Sequence, residues 1–487
     1  MIIINRYLAS NVSGPISTEA ENQNLKPWSA IPGPKSFPFI GPILNFFPGG
    51  KFYSLNGDKV FQKMHELYGP IIKFRGSFGR PDMVFLFDAE TTVLRNEDVF
   101  PARPGFQSVE YYRYEYKKRK RSGLLTDQGE IWKQFRTTVN PVMLQPKTIK
   151  LYEKSIDEVA QDMIKRLKTL RDDNLMLPNN FGEEMNLWAL ESVAIVALGR
   201  RLNSFDLNLP EDSPAKRLVK CVRDIFITAN ELDIMPSLWL YIPTRKFKKA
   251  MKLYEEQEEL AKSFIKETEE EIKKGKSSAE DQAGVLEKLL KIDKEIAYIM
   301  ATDMLLAGVD TVTFLTSALY LLASNPEKQD KLRKEILQSK ERKYLKACVK
   351  ETLRLIPVVA GNMRIVSKEY NLFGYKIPKG SRVGFAYQAM SNMECHFTRA
   401  SEFIPERWTV AKDDPLYYGR AHPFAYTPFG FGTRSCIGRR IAELEMETFL
   451  TRLIENFNVE WSGSPPKIVS TSLNYMAGPF GFVLKDL

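Results

Sequence analysis

The run of residues 295–324 constrains the architecture of this chain more than any other segment. It is apolar at helical spacing and stops at Asn325-Pro326, where proline lacks an amide donor and forces its predecessor into extended backbone. At about 1.5 Å per residue it is long enough to cross a bilayer. Asp303, Gly308 and Asp310 lie in its middle, however, and charge at bilayer depth is costly. The pattern fits a helix through the centre of a large soluble domain, whose interior acids then need partners or a task.

A chain of 487 residues can bury a large core around such a helix. Residues 31–42, IPGPKSFPFIGP, read as a rigid lead-in. Strand-like runs follow at 71–74 and 83–87, then helical spacing over 152–170 and 250–274. The tail from Pro465, with Gly478, Pro479 and Gly481, reads as a hairpin. No period of 20–50 residues indicates a solenoid. The expected fold is one mainly α domain with small β-sheets over residues 31–487.

Residues 1–30 carry no acid before Glu19, have Arg6 among hydroxyl residues, and hold an apolar run only at 1–4. They are expected to be a disordered mitochondrial transit segment with no membrane span. Cys221, Cys348, Cys395 and Cys436 are too scattered for a disulfide framework, so each is a buried apolar residue or a ligand. The net charge of +10 suits an acidic protein, an anionic membrane or a nucleic acid. The run Lys117-Lys118-Arg119-Lys120-Arg121 reads as a solvated face rather than a nucleic-acid patch, and no nucleic-acid partner is expected.

The stretch Phe429-Gly430-Phe431-Gly432-Thr433-Arg434-Ser435-Cys436-Ile437-Gly438 carries the clearest chemistry. Glycines let backbone approach a flat ligand, and a thiolate among amides beside Arg434 is favoured in its ligating form. A structural cysteine in a glycine-rich turn is the plainer alternative. Phe429, Gly432, Arg434, Cys436 and Gly438 fill every fixed position of the haem-binding loop of the cytochrome P-450 family, which this segment resembles.

Three further patterns resemble that family in the same order. Trp132 and Arg136 stand four apart, on one helical face, like its Trp-x-x-x-Arg pair. Ala307-Gly308-Val309-Asp310-Thr311 resembles the oxygen-binding kink of its central helix, and Glu351-Thr352-Leu353-Arg354 with Pro405-Glu406-Arg407-Trp408 resembles its structural trio. Alone, each of these reads equally as a core tryptophan, a back-bonded hydroxyl or a helical ion pair. The resemblance implies a single domain with the central helix over a haem and Cys436 as axial ligand to the iron. It also implies that Trp132, Arg136, Arg364 and Arg434 hold propionates, and that Phe429, Gly432 and Gly438 shape the cradle. Asp310 and Thr311 become the catalytic proton relay, with Gly308 allowing close approach to the iron face. Glu351, Arg354 and Arg407 become a buried network needed for folding.

The implied activity is monooxygenation of an apolar small molecule by O2, with substrate met by residues 106–125, 358–361 and 473–477. Lys346 and Lys350 on one helix face, with Arg439 and Arg440, resemble the ferredoxin-docking cations of mitochondrial members, which implies a ferredoxin and its reductase as partners. The chain looks most like the insect mitochondrial class, whose substrates include ecdysteroid precursors and xenobiotics. Pro236-Ser237-Leu238-Trp239-Leu240-Tyr241-Ile242, then Arg245-Lys246-Phe247-Lys248-Lys249, suits peripheral contact with the matrix side of the inner membrane. Two departures stand out: Gln338-Ser339-Lys340-Glu341-Arg342-Lys343 replaces a longer connection with an extra short helix, and Thr433 replaces a frequent proline. A haem-thiolate peroxide isomerase or dehydratase, and a non-catalytic haem-binding protein, are the competing readings.

Overall fold

The computed structural model describes residues 25–55, 57–88, 102–144, 146–206, 208–275, 283–308, 312–470 and 473–487. The amino-terminal part combines helix α1 (Asp58–Tyr68) with strands β1 (Ile71–Phe74) and β2 (Met83–Leu86). A short helix α2 (Gln107–Tyr111) precedes α3 (Gly129–Met143), α4 (Pro146–Leu170), α5 (Phe181–Leu198), α6 (Pro214–Ala229) and α7 (Arg245–Lys273). Next come α8 (Val285–Leu290), the central segment as α9 (Lys294–Ala307) and α10 (Val312–Ala323), then α11 (Pro326–Gln338) and α12 (Lys343–Leu355). Strands β3 (Asn362–Ile365), β4 (Tyr370–Leu372), β5 (Tyr375–Ile377) and β6 (Arg382–Phe385) follow, with α13 (Tyr387–Ser391). After α14 (Arg439–Asn456) the chain ends in β7 (Phe457–Trp461), β8 (Lys467–Ser470), β9 (Asn474–Ala477) and β10 (Phe482–Asp486).

Asp293 starts α9 by accepting the Ile296 amide at 3.0 Å, and Pro326 opens α11, so the 295–324 run has the ends its sequence implies. Residues 309–311 lie outside the described residues. Helix α5 is buried along nearly its whole length, and its two buried acids are paired, Glu184 with Arg166 at 2.6 Å and Glu191 with Arg201 at 2.7 Å. Its Trp188 rests on Phe449 of α14 with ring centroids 4.9 Å apart, and both are fully buried. Burying a side chain such as Phe449 contributes about 1.5–3 kcal/mol.

The sheets are small. One has the order β1-β2-β6-β3, with β2 and β6 parallel and the outer pairs antiparallel. The tail is more than one hairpin: β8 pairs with β9, while β10 returns to pair with β7, setting Phe482 opposite Trp461. Residues 25–30, assigned above to the disordered leader, pack instead. Lys26 exchanges backbone hydrogen bonds with Gly374 and Lys376, and Lys73 Nζ donates to the Trp28 carbonyl at 3.2 Å. The leader's remaining residues, 1–24, lie outside the described residues.

The shortened link between α11 and α12 closes into a well-bonded turn. Both oxygens of Glu335 accept amides at the start of α12, Tyr344 at 2.7 Å and Leu345 at 2.9 Å, and Arg342 donates to the Ile336 carbonyl at 3.1 Å. An acid on the preceding helix thus does the work of an N-cap. Among the described residues, no helix is long and apolar enough to cross a membrane.

Candidate active site

The cysteine loop is folded on itself by its own backbone. The Cys436 amide donates to the Phe429 carbonyl at 2.9 Å, and Ser435 N–H to the Gly432 carbonyl at 3.1 Å. Gly432 takes φ +67°, a conformation that favours glycine, and a methyl placed there would meet no protein atom within 4 Å. That face of the loop is open. Cys436 sits deep in the protein yet is solvent-accessible on one side. Burial raises its thiol above the ordinary value, while the Gly438 amide and the charges of Arg136, Arg103 and Arg439 pull the other way. A bound metal would remove the remaining penalty, because a coordinating thiol is deprotonated outright.

Four arginines crowd beside this loop. Burial first, then Arg103, Arg364 and Arg136, pushes Arg434 down to about 9, with Asp127 opposing. Arg364 is pushed down to about 10 by burial and Arg103, and Arg136 and Arg103 are lowered chiefly by burial. A guanidinium does not lose its proton in a protein. The downward pressure therefore reports an excess of buried positive charge that calls for an anionic guest. Arg136 donates to the Ser435 carbonyl at 3.0 Å, but its buried Nε has no partner among the described residues. Arg364 donates to the Phe431 carbonyl at 3.3 Å and lies 4.8 Å from that ring's centroid. Trp132 is buried, and the Arg434 guanidinium stacks on its indole at 3.8 Å. Trp132 therefore acts on Arg434 directly, as a platform. An open cysteine beneath a cationic cluster fits a haem iron with two propionates.

The structural trio is assembled as its motifs imply. Glu351 receives Arg354 at 2.8 and 3.0 Å, Arg407 at 2.9 Å, the Trp408 indole at 2.9 Å and the Ile404 amide at 3.1 Å. All three charged side chains are fully buried.

Asp310 and Thr311, the expected proton relay, lie outside the described residues. Gly308 packs against α5. A methyl there would lie 2.5 Å from Cγ2 of Val193 on α5, so the glycine serves the packing of α5 against the central helix. The other interior acid, Asp303, pairs with Arg113 at 2.8 Å. Burial raises its carboxyl, and Arg113 counters this.

Of the three segments expected to line the substrate site, 358–361 and 473–477 meet each other. The Val358 carbonyl accepts the Asn474 amide at 2.8 Å, Thr313 of α10 donates to the Asn474 carbonyl at 2.6 Å, and Phe106, Leu124 and Val358 pack on the main core. The basic run is solvated only in part: Lys118 and Lys120 are exposed, and the other three cations are half-buried in ion pairs. Lys117 pairs with Glu255 at 2.6 Å, Arg119 pairs with Glu258, and Arg121 meets Asp293 at 3.1 Å, which ties residues 106–125 to α7 and to the start of α9. Of the expected docking cations, Lys346 and Lys350 are exposed on α12. Arg439 pairs with Glu443 at 2.8 Å, and Arg440 donates to the Leu144 carbonyl at 2.8 Å. In the segment expected to meet a membrane, Leu238, Leu240, Tyr241 and Ile242 are exposed, while Trp239 turns inward and stacks on Phe247 at 5.3 Å.

Sequence reasoning missed Arg103, which stands in a Pro-Ala-Arg-Pro context with no periodic or motif signal. It also missed Asp127 and Gln128. Only their place just ahead of the Trp132 helix hinted at a role.

The cytochrome P450 family model matches residues 31–484. The chain is 39% identical over 484 residues to cytochrome P450 CYP12A2 of Musca domestica, covering 93% of this chain and 89% of that one. It is 36% identical to cytochrome P450 12b1, mitochondrial, of Drosophila acanthoptera, with 97% and 92% covered. The retinoic acid-bound cyanobacterial CYP120A1 shares the fold at TM-score 0.73 and 22% identity, over 94% of this chain and 99% of that one.

Proposed function

The chain belongs to the cytochrome P450 family and is a haem-thiolate monooxygenase; from that premise we propose that Cys436 is the axial ligand, that a ferredoxin supplies the electrons, and that the substrate is an apolar small molecule such as a steroid, an ecdysteroid precursor or a xenobiotic. The observation that carries this reading is an open cysteine beside a cluster of four arginines, Arg364 and Arg434 buried and Arg103 and Arg136 half-buried. When bound, the haem supplies the oxygen-activating chemistry, favoured by thiolate donation.

The protein's own residues do the rest. Arg136, Arg364 and Arg434, with Arg103, hold the anionic edge of the cofactor, and Trp132 fixes the plane of Arg434. Phe429 closes the ligand loop through its carbonyl. Gly432 and Gly438 keep side chains off the cofactor face. Asp310 and Thr311 deliver protons, and residues 106–125, 358–361 and 473–477 orient the substrate and exclude water.

The mitochondrial relatives support a ferredoxin donor and its reductase. The exposed Lys346 and Lys350, joined by Arg439, supply the complementary charge; Arg440, bonded to Leu144, contributes through the long-range field. The exposed apolar residues 238, 240, 241 and 242, beside Arg245 and Lys248, favour peripheral attachment to the matrix side of the mitochondrial inner membrane.

The deciding experiment is the reduced, carbon monoxide-bound spectrum of the purified protein and of Cys436→Ala. A thiolate-type Soret band that disappears in the variant is expected. A band at the neutral-imidazole position overturns the ligand assignment. Turnover that needs both ferredoxin and O2 supports the monooxygenase reading with this donor, whereas turnover of a hydroperoxide alone points to an isomerase. Reversing Lys346 and Lys350 to Glu should raise the KM for ferredoxin at least tenfold while leaving the spectrum unchanged.

A further inference from the structure

Arg434 is clasped by one short stretch of chain from the opposite half of the molecule. Its Nη2 donates to the Asp127 carbonyl and to Gln128 Oε1, each at 2.9 Å, and Nη1 reaches the Leu124 carbonyl at 3.4 Å. Gln128 also holds the backbone of Arg103, accepting its amide at 3.0 Å and donating to its carbonyl at 2.6 Å. Two members of the cationic cluster thus take their positions from the same few residues.

Those residues are themselves set by the Asp127 carboxylate, which is fully buried. One oxygen accepts the Ser122 amide at 2.8 Å and the Tyr114 hydroxyl, and the other accepts the Gly123 amide at 3.0 Å. The loop it gathers is pinned in turn to the central helix. Arg113 donates to the Ser122 carbonyl and pairs with Asp303. Gly123 has φ +104°, and a methyl there would strike Asp303 Oδ2 at 2.4 Å. A continuous line of hydrogen bonds therefore runs from Asp303 through Arg113, Ser122 and Asp127 to Arg434.

We propose that Asp127 is a positioning residue for the cofactor, making the placement of Arg434 depend on how residues 113–123 are seated against the central helix. This rests on the reading of Arg434 as a propionate holder. With Arg434 in place, the propionate charge is compensated. If Arg434 drifts, uncompensated negative charge near the iron favours the oxidised form. Movement of the loop for a substrate is then felt in the ease of reduction.

The test is a redox titration of the substrate-free holoprotein with Asp127→Asn and Tyr114→Phe. A purely electrostatic role for Asp127 raises the reduced-to-oxidised ratio at fixed potential in Asp127→Asn, because a negative charge is lost. The positioning role lowers it in both variants, by about tenfold in Asp127→Asn, or ~59 mV for one electron. Combining either change with Arg434→Lys should add little further, since the effects share one path. A rise in Asp127→Asn, or no change in Tyr114→Phe, overturns the proposal. Should Asp127→Asn fail to fold, Tyr114→Phe decides, since it loses only a hydroxyl. Failure of the underlying haem reading would show separately, as a missing thiolate spectrum in the unaltered protein.

Discussion

Val193 of α5 occupies the space where a side chain at Gly308 would stand, with Cγ2 only 2.5 Å from the position of an added methyl. The central helix is held against the core at that point by the lack of a side chain. Gly308→Ala should therefore destabilise the holoprotein by about 1–3 kcal/mol through overpacking, despite alanine's better helix propensity. Val193→Ala in the same chain should recover part of the loss. Denaturant melts of the single and double variants check this, and additive losses would show that the two residues do not compete for one space.

The stacked pair of Arg434 and Trp132 gives a second expectation. A desolvated cation–π contact is worth about 2 kcal/mol, and lysine reproduces neither the stack nor the fork of hydrogen bonds. Arg434→Lys should speed haem loss on the order of tenfold, measured by transfer to an apoprotein acceptor. Trp132→Phe, which keeps an aromatic face, should have the smaller effect.

Glu351 gathers two guanidinium groups and an indole in a fully buried site. Glu351→Gln leaves Arg354 and Arg407 without their anion and should cost about 3–5 kcal/mol, seen as lost holoprotein or a lowered Tm. Retention of parental stability would mean that the trio is dispensable for folding.

Burial alone pushes Glu445 of α14 up to about 8, and its Oε1 has no partner among the described residues. The folded state therefore binds this proton more tightly than the unfolded chain does. The resulting stability is fully present below the ordinary carboxylate range and is lost as pH rises through about 8. Between pH 6 and 8 the parent should lose on the order of 2 kcal/mol that Glu445→Gln does not. Thermal melts of both proteins across that window isolate the group, and parallel profiles would exclude it.

The ligand loop, the central helix and the Glu351 trio were legible because each rests on local spacing: glycines around one cysteine, a long apolar run, and an acid and an arginine one helical turn apart. Arg103 and Asp127 were not legible, because their roles arise only where distant segments meet. The packing of Gly308 against Val193 was not legible for the same reason. A glycine in a helix announces close approach but not to what, and Val193 lies 115 residues earlier. The ion pairs of the basic run 117–121 were not legible either, because the acids that answer it lie over a hundred residues downstream.

Those answered charges bear on how fast molecules reach the site. Lys117, Arg119 and Arg121 hold the covering loop to helices α7 and α9 through contacts that are partly open to water. Attraction between such groups weakens as dissolved ions accumulate around them, with a screening length of about 8 Å at physiological ionic strength. The rate at which a bulky apolar guest enters should therefore climb with added salt, whereas the affinity of an acidic electron carrier for the exposed Lys346 and Lys350 should fall. One solution variable thus moves the two ends of the catalytic cycle in opposite senses, and the ionic strength for fastest turnover is set by the balance between them.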